Sequence, residues 1–177
     1  PIVFSTMQRI WLLNGISFLP LHPQTANTLS RLMFFPPTCR NGSGLVSVDG
    51  QVFHATVEGG VLAQASEDFF EAGKVYDLYR YAAIDHEEVK KRAENLLGSP
   101  YNASFYPDGV GYYCSQFIAE LLPIFETIPM KFGDEEEEIS PFWLDYYKEL
   151  GLAVPLDQPG TNPSQLAQSP HLQFKER

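Results

Sequence analysis

Two β-prone runs flank an Asp-Gly pair: Gly44-Leu45-Val46-Ser47-Val48, then Asp49-Gly50, then Gln51-Val52-Phe53-His54-Ala55. This pattern predicts an antiparallel hairpin over 44–55, because Asp-Gly adopts the positive-φ turn that matches strand twist. The run Gly60–Gln64 predicts another strand, and the aromatic-rich, partly alternating Val75–Tyr81 a further one. Upstream, in a stretch rich in Pro, Thr and Asn, Ile16–Leu19 reads as a strand and Ala26–Met33 as a short helix.

Helical patterns begin beyond residue 65. Ser66 is placed to cap a short helix, Glu67–Ala72, that Gly73 ends. Asp85 opens a helix with Glu88 three residues on, Val89, Ala93, Leu96 and Leu97 on its apolar stripe, and Gly98 as its stop. Pro100–Gly111 carries Pro, Asp and Gly punctuation and reads as a loop. Cys114–Leu122 is apolar and helical until Pro123. The acidic run Asp134–Glu138 reads as a solvated loop, Ser140-Pro141 as the start of a helix, and Gly151 as its end. Residues 152–177, with Pro155, Pro159 and Pro163, read as an extended surface tail. Strands followed by helices predict an α+β fold, with 1–177 as one domain.

Charge narrows the partners. With 12 Lys+Arg against 22 Asp+Glu the formal net charge is −10, which repels phosphate backbones and excludes nucleic acid as an expected partner. Anionic bilayer surfaces are disfavoured for the same reason. Ile10–Leu21 is interrupted by Asn14, Gly15, Ser17 and Pro20 and is too short to span a bilayer, so no transmembrane segment is expected. It lacks the flanks of a signal peptide, and a chain opening at Pro1 is expected to be a processed form. The two cysteines, Cys39 and Cys114, are too few for a disulfide framework, and no CxxC, HExxH or phosphate-loop pattern is present. No metal and no organic cofactor is expected.

Cys114 is the candidate for chemistry. It follows a Gly-containing loop and stands where a helix begins, so free N–H groups and the helix dipole would stabilise its thiolate and hold an oxyanion. A buried Cys filling the core explains the same local sequence equally well. A nucleophile needs a base, and His54, on the hairpin strand, is the candidate, although a strand histidine is more often a hydrogen-bonded structural residue. Predicted alternation turns His54 towards the Cys114 helix. His22 is ambiguous; His86 and His171 read as surface residues. Cys39 is expected to be dispensable and not bonded to Cys114.

Gly98-Ser99-Pro100-Tyr101-Asn102 followed by Tyr113-Cys114-Ser115-Gln116-Phe117 resembles the pattern G-x-P-Y-D … Y-C-S-E-L of YiiX/YaeF-like proteins. These form a circularly permuted branch of the NlpC-type papain-like cysteine peptidases, related to lecithin retinol acyltransferase-like proteins. Gly160-Thr161-Asn162-Pro163 is similar to their G-x-N-P ending. The resemblance implies a barrel-like antiparallel sheet that precedes the nucleophile helix. It places His54 at the third, orienting position and the main base at Gly42, which cannot accept a proton. Gln116 and Asn102 stand where the pattern carries acids.

The resemblance thus implies a cysteine hydrolase acting on a peptide or peptidoglycan amide through Cys114, with His54 as base or orienter. Acyl-lipid hydrolysis or acyl transfer is the variant chemistry, and a bacterial envelope or exported setting is implied. A non-catalytic binding module with the papain-like cleft is the alternative that Gly42 favours. An interaction protein docking through Asp134–Glu138 and the Pro-rich tail is a third.

Overall fold

A computed structural model describes residues 31–34, 43–46, 49–70, 76–83 and 85–176. The expected strand at Ile16–Leu19, together with His22, Cys39 and Gly42, lies outside the described residues. In chain order the strands are β1 (Arg31–Phe34), β2 (Ser43–Val46), β3 (Gln51–Thr56), β4 (Gly60–Ala65), β5 (Asp77–Tyr81), β6 (Ile128–Pro129), β7 (Pro159–Gly160) and β8 (Leu172–Glu176). The helices are α1 (Ser66–Phe69), α2 (His86–Asn95), α3 (Cys114–Leu121), α4 (Pro141–Leu150) and α5 (Pro163–Ala167).

The hairpin forms as expected. β2 and β3 pair antiparallel with Gly44 opposite His54, Leu45 opposite Phe53 and Val46 opposite Val52, and Gly50 turns the chain at φ 80. β4 pairs along the whole of β3. β1 lies between β2 and β5, and β8 closes the far edge, so the antiparallel sheet runs β4-β3-β2-β1-β5-β8. The architecture is α+β, with the Cys114 helix after the first five strands.

The expectations for three segments are corrected. Arg31–Met33 belong to β1 rather than to a helix, because backbone pairing on both sides settles a short apolar run that has no period of its own. The helix near Ser66 covers Ser66–Phe69, and the Ser66 hydroxyl bonds Glu67 instead of capping. Residues 152–176 are no extended tail. They supply β7, the helix α5 with Leu166 wholly buried, and β8 on the sheet edge.

Alternation along β3 divides the apolar residues between two faces. Phe53 and Ala55 join Leu45 and Val61 against Val89 and Ala93 of α2, Phe117, Ile118 and Leu121 of α3, and Leu166 of α5. This is the main core; each such large side chain contributes about 1.5–3 kcal/mol on burial. The opposite face carries Val52, Tyr76 and Leu78 with Phe69 and Phe70 packed on them. The α2 cap is the expected one: the Asp85 carboxylate accepts the Glu88 N–H at 3.1 Å. Leu97, however, lies beyond the end of α2 and is exposed.

The loop from 98 to 113 is tied down at several points. Gly98 N–H donates to the Val61 carbonyl and Val61 N–H to the Ser99 carbonyl, both at 2.8 Å, anchoring the loop on β4. From the other side, the Tyr146 and Tyr147 hydroxyls of α4 donate to the Ala103 and Ser104 carbonyls. Gly111, at φ 89, presses on Pro100, whose carbonyl oxygen would lie 1.9 Å from any Cβ added there. Only glycine fits that contact.

Candidate active site

Cys114 is the first residue of α3, a reduced thiol that is only partly buried. By helical spacing it shares a face with Phe117, Ile118 and Leu121, the residues α3 packs on the sheet. The first N–H groups of a helix have no partner within it, so the thiol stands where a thiolate gains most from the backbone.

The polar residues around this helix start form a network. Gln116 Oε1 accepts the Tyr113 backbone N–H and an Asn102 side-chain N–H, each at 3.3 Å. Asn102, 2% exposed, also donates to the Tyr106 carbonyl and accepts from Ser104. Asn102 and Gln116, the two residues that depart from the acidic pattern, are therefore partners. An amide pair satisfies itself in this buried setting, where two carboxylates would repel each other and lose their hydration.

Downstream, the Ser115 hydroxyl donates to the Thr161 carbonyl at 3.0 Å, and the Thr161 hydroxyl to Ser115 Oγ at 3.1 Å. The Thr161 N–H donates to the Tyr113 hydroxyl oxygen at 3.0 Å. Tyr101 completes the surroundings. Its hydroxyl is hydrogen-bonded to the Cys114 backbone, and burial, then the charge of a nearby Cys114 thiolate, hold its pKa far above the ordinary range. It stays a neutral hydroxyl at any working pH.

His54 is not where alternation around the turn was expected to put it. It shares the face of Val52, its ring meeting Phe69 edge-on at 4.8 Å and its Nε2 lying 2.7 Å from Gln64 Oε1. Its neighbours in the strand, Phe53 and Ala55, face α3. His54 and the α3 side of the sheet are thus on opposite faces, and the correction follows from a pleat of period two. Burial lowers the His54 pKa, opposed in part by the Gln64 hydrogen bond. Among the described residues, no strand position on the face that α3 covers carries an imidazole. Ser43 lies there, buried, with its hydroxyl unpartnered among the described residues. His86 begins α2, and His171 is exposed before β8.

Sequence reasoning passed over Tyr101 and Thr161 as site residues, although both stand in the motifs named above. The available signal was an aromatic hydroxyl and a small hydroxyl within segments that α3 must pack against. Among the described residues no helix is long and apolar enough to cross a membrane.

No curated protein sequence matches the chain significantly. A crystal structure of the metalloprotein yiiX from Escherichia coli O157:H7 superposes with a TM-score of 0.68 at 17% identity, covering 85% of this chain and 97% of that one. Residues 38–174 match the family model described as permuted papain-like amidase enzyme, YaeF/YiiX, C92 family. With the match extending over most of its length, the chain belongs to the YaeF/YiiX family of permuted papain-like amidases.

Proposed function

We propose that this protein is a thiol-dependent amidase in which Cys114 is the nucleophile and the substrate is an amide of a peptide or peptidoglycan stem. The observation that carries this is a reduced, partly exposed cysteine at the first position of α3 in a chain of the amidase family. The thiol gives its proton to solvent and the thiolate adds to the amide carbonyl. The C–N bond breaks as the leaving nitrogen takes a proton from water, and a second water hydrolyses the thioester to release the acid and restore the thiol. Tyr101 accepts a hydrogen bond from the Cys114 backbone N–H, which leaves its own proton free to donate to the oxyanion.

His54 has no direct part in this proposal, because its ring is committed to Phe69 and Gln64 on the other face. The relative yiiX is described as a metalloprotein. Among the described residues of this chain no three His, Cys, Asp or Glu side chains converge.

The test is hydrolysis of peptide and peptidoglycan-stem amides, with Cys114→Ser beside the natural chain. Turnover lost in Cys114→Ser with the fold retained supports the nucleophile. Turnover that survives the substitution overturns it. Selective alkylation of Cys114 without cleavage of any amide identifies a cleft that binds and does not cut.

A further inference from the structure

The C-terminal segment grips the nucleophile helix from both sides of Cys114. Thr161 lies 46 residues after Ser115 in sequence, yet its N–H holds the Tyr113 hydroxyl while its carbonyl and hydroxyl hold the Ser115 hydroxyl. All three bonds are buried, and Thr161 is 8% exposed. The strap bearing it is itself fixed at both ends. Pro159–Gly160 pairs with Ile128–Pro129 as β7 on β6. Asn162 caps α5 by accepting the Gln165 N–H at 2.8 Å, and Leu166 sits wholly in the core.

We infer that Thr161 is a positioning residue for Cys114, holding the first turn of α3 in the geometry that activates the thiol. This rests on Cys114 being the nucleophile. α3 has only eight residues, and helix ends fray. A frayed first turn would lose the N–H groups and dipole that stabilise a thiolate. Within α3 the Gln116 side chain holds the Tyr113 N–H, whereas the Ser115 hydroxyl is held from outside the helix, by Thr161. The family's short G-x-N-P-like segment therefore has a mechanical task here: it places a hydroxyl, a carbonyl and an N–H against the two residues flanking the sulfur.

The experiment is iodoacetamide alkylation of the full chain, read at Cys114 by site-resolved mass spectrometry across pH, with thermal melting as the fold control. Thr161→Val keeps the shape and both backbone bonds but removes the hydroxyl. It should slow alkylation near neutral pH about tenfold and move the pH midpoint up by about one unit, the thiolate fraction falling in proportion. Thr161→Ser should stay within about twofold of the natural chain. Should Thr161→Val not fold, Ser115→Ala, which removes that bond together with the one to the Thr161 carbonyl, should show at least the same slowing. Natural rate and midpoint in a folded Thr161→Val or Ser115→Ala overturn the positioning role and leave Cys114 as nucleophile untouched. A folded Thr161→Ser as slow as Thr161→Val also overturns it. If Cys114 of the natural chain reacts no faster than free cysteine, the nucleophile itself fails, and the positioning role with it.

Discussion

His54→Ala distinguishes a histidine that serves Cys114 from one that only builds the sheet. The ring contributes an edge-on contact with Phe69 at 4.8 Å and one hydrogen bond to Gln64 at 2.7 Å. An aromatic pair of this kind contributes about 0.5–1.5 kcal/mol and a neutral hydrogen bond about 0.5–1.5 kcal/mol. Together they make a loss of about 2 kcal/mol, since Gln64 is half-buried and water can replace the lost partner. For a chain of this size that lowers the melting temperature by about 4–8 °C. Removing a general base would instead cost about 10²–10⁴-fold in rate. The geometry puts His54 on the face that α3 does not cover, so the expected outcome is a lower melting temperature with Cys114 alkylation and amide turnover within about twofold. The assay pairs a thermal melt with both rates measured well below the melting point. A hundredfold loss of turnover in a folded His54→Ala chain would refute the two-face argument.

Other outcomes follow from the same contacts. Burial depresses the His54 pKa, so protons bind the unfolded chain more readily; stability from this group is complete above pH 6.5 and is lost as pH falls from there through the folded value. Melting curves from pH 8 to pH 5 should show the decline, and His54→Gln should flatten that part of it. Tyr101→Phe removes the hydroxyl beside the Cys114 backbone and should lower kcat by about 10–10³-fold with little change in KM. Unchanged kcat would remove Tyr101 from the oxyanion site. Gly111→Ala forces a Cβ to within 1.9 Å of the Pro100 carbonyl oxygen at φ 89, so it should destabilise the fold by more than about 1 kcal/mol, visible as a lowered urea midpoint. Leu121→Ala, at a wholly buried position, should cost about 2–5 kcal/mol in the same titration.

Local chemistry made much of this protein legible from its sequence. Asp49-Gly50 specified the hairpin because few other dipeptides fit that turn, and Asp85 with Glu88 specified the start of α2 through a bond spanning only three residues. Cys114 at a helix start was likewise readable from the loop glycines before it and the apolar run after it. Pairing between distant segments was not. Whether Leu32-Met33-Phe34 is strand or helix depends on β2 and β5 lying beside it, and β8 is a strand because β5 offers an edge. The face on which His54 lies was decided by the packing of α3 on Phe53 and Ala55, since alternation fixes which residues share a face but not which face a helix covers. The contacts of Asn102 with Gln116 and of Thr161 with Ser115 join residues 14 and 46 positions apart, and only the packed fold brings such groups within hydrogen-bond distance.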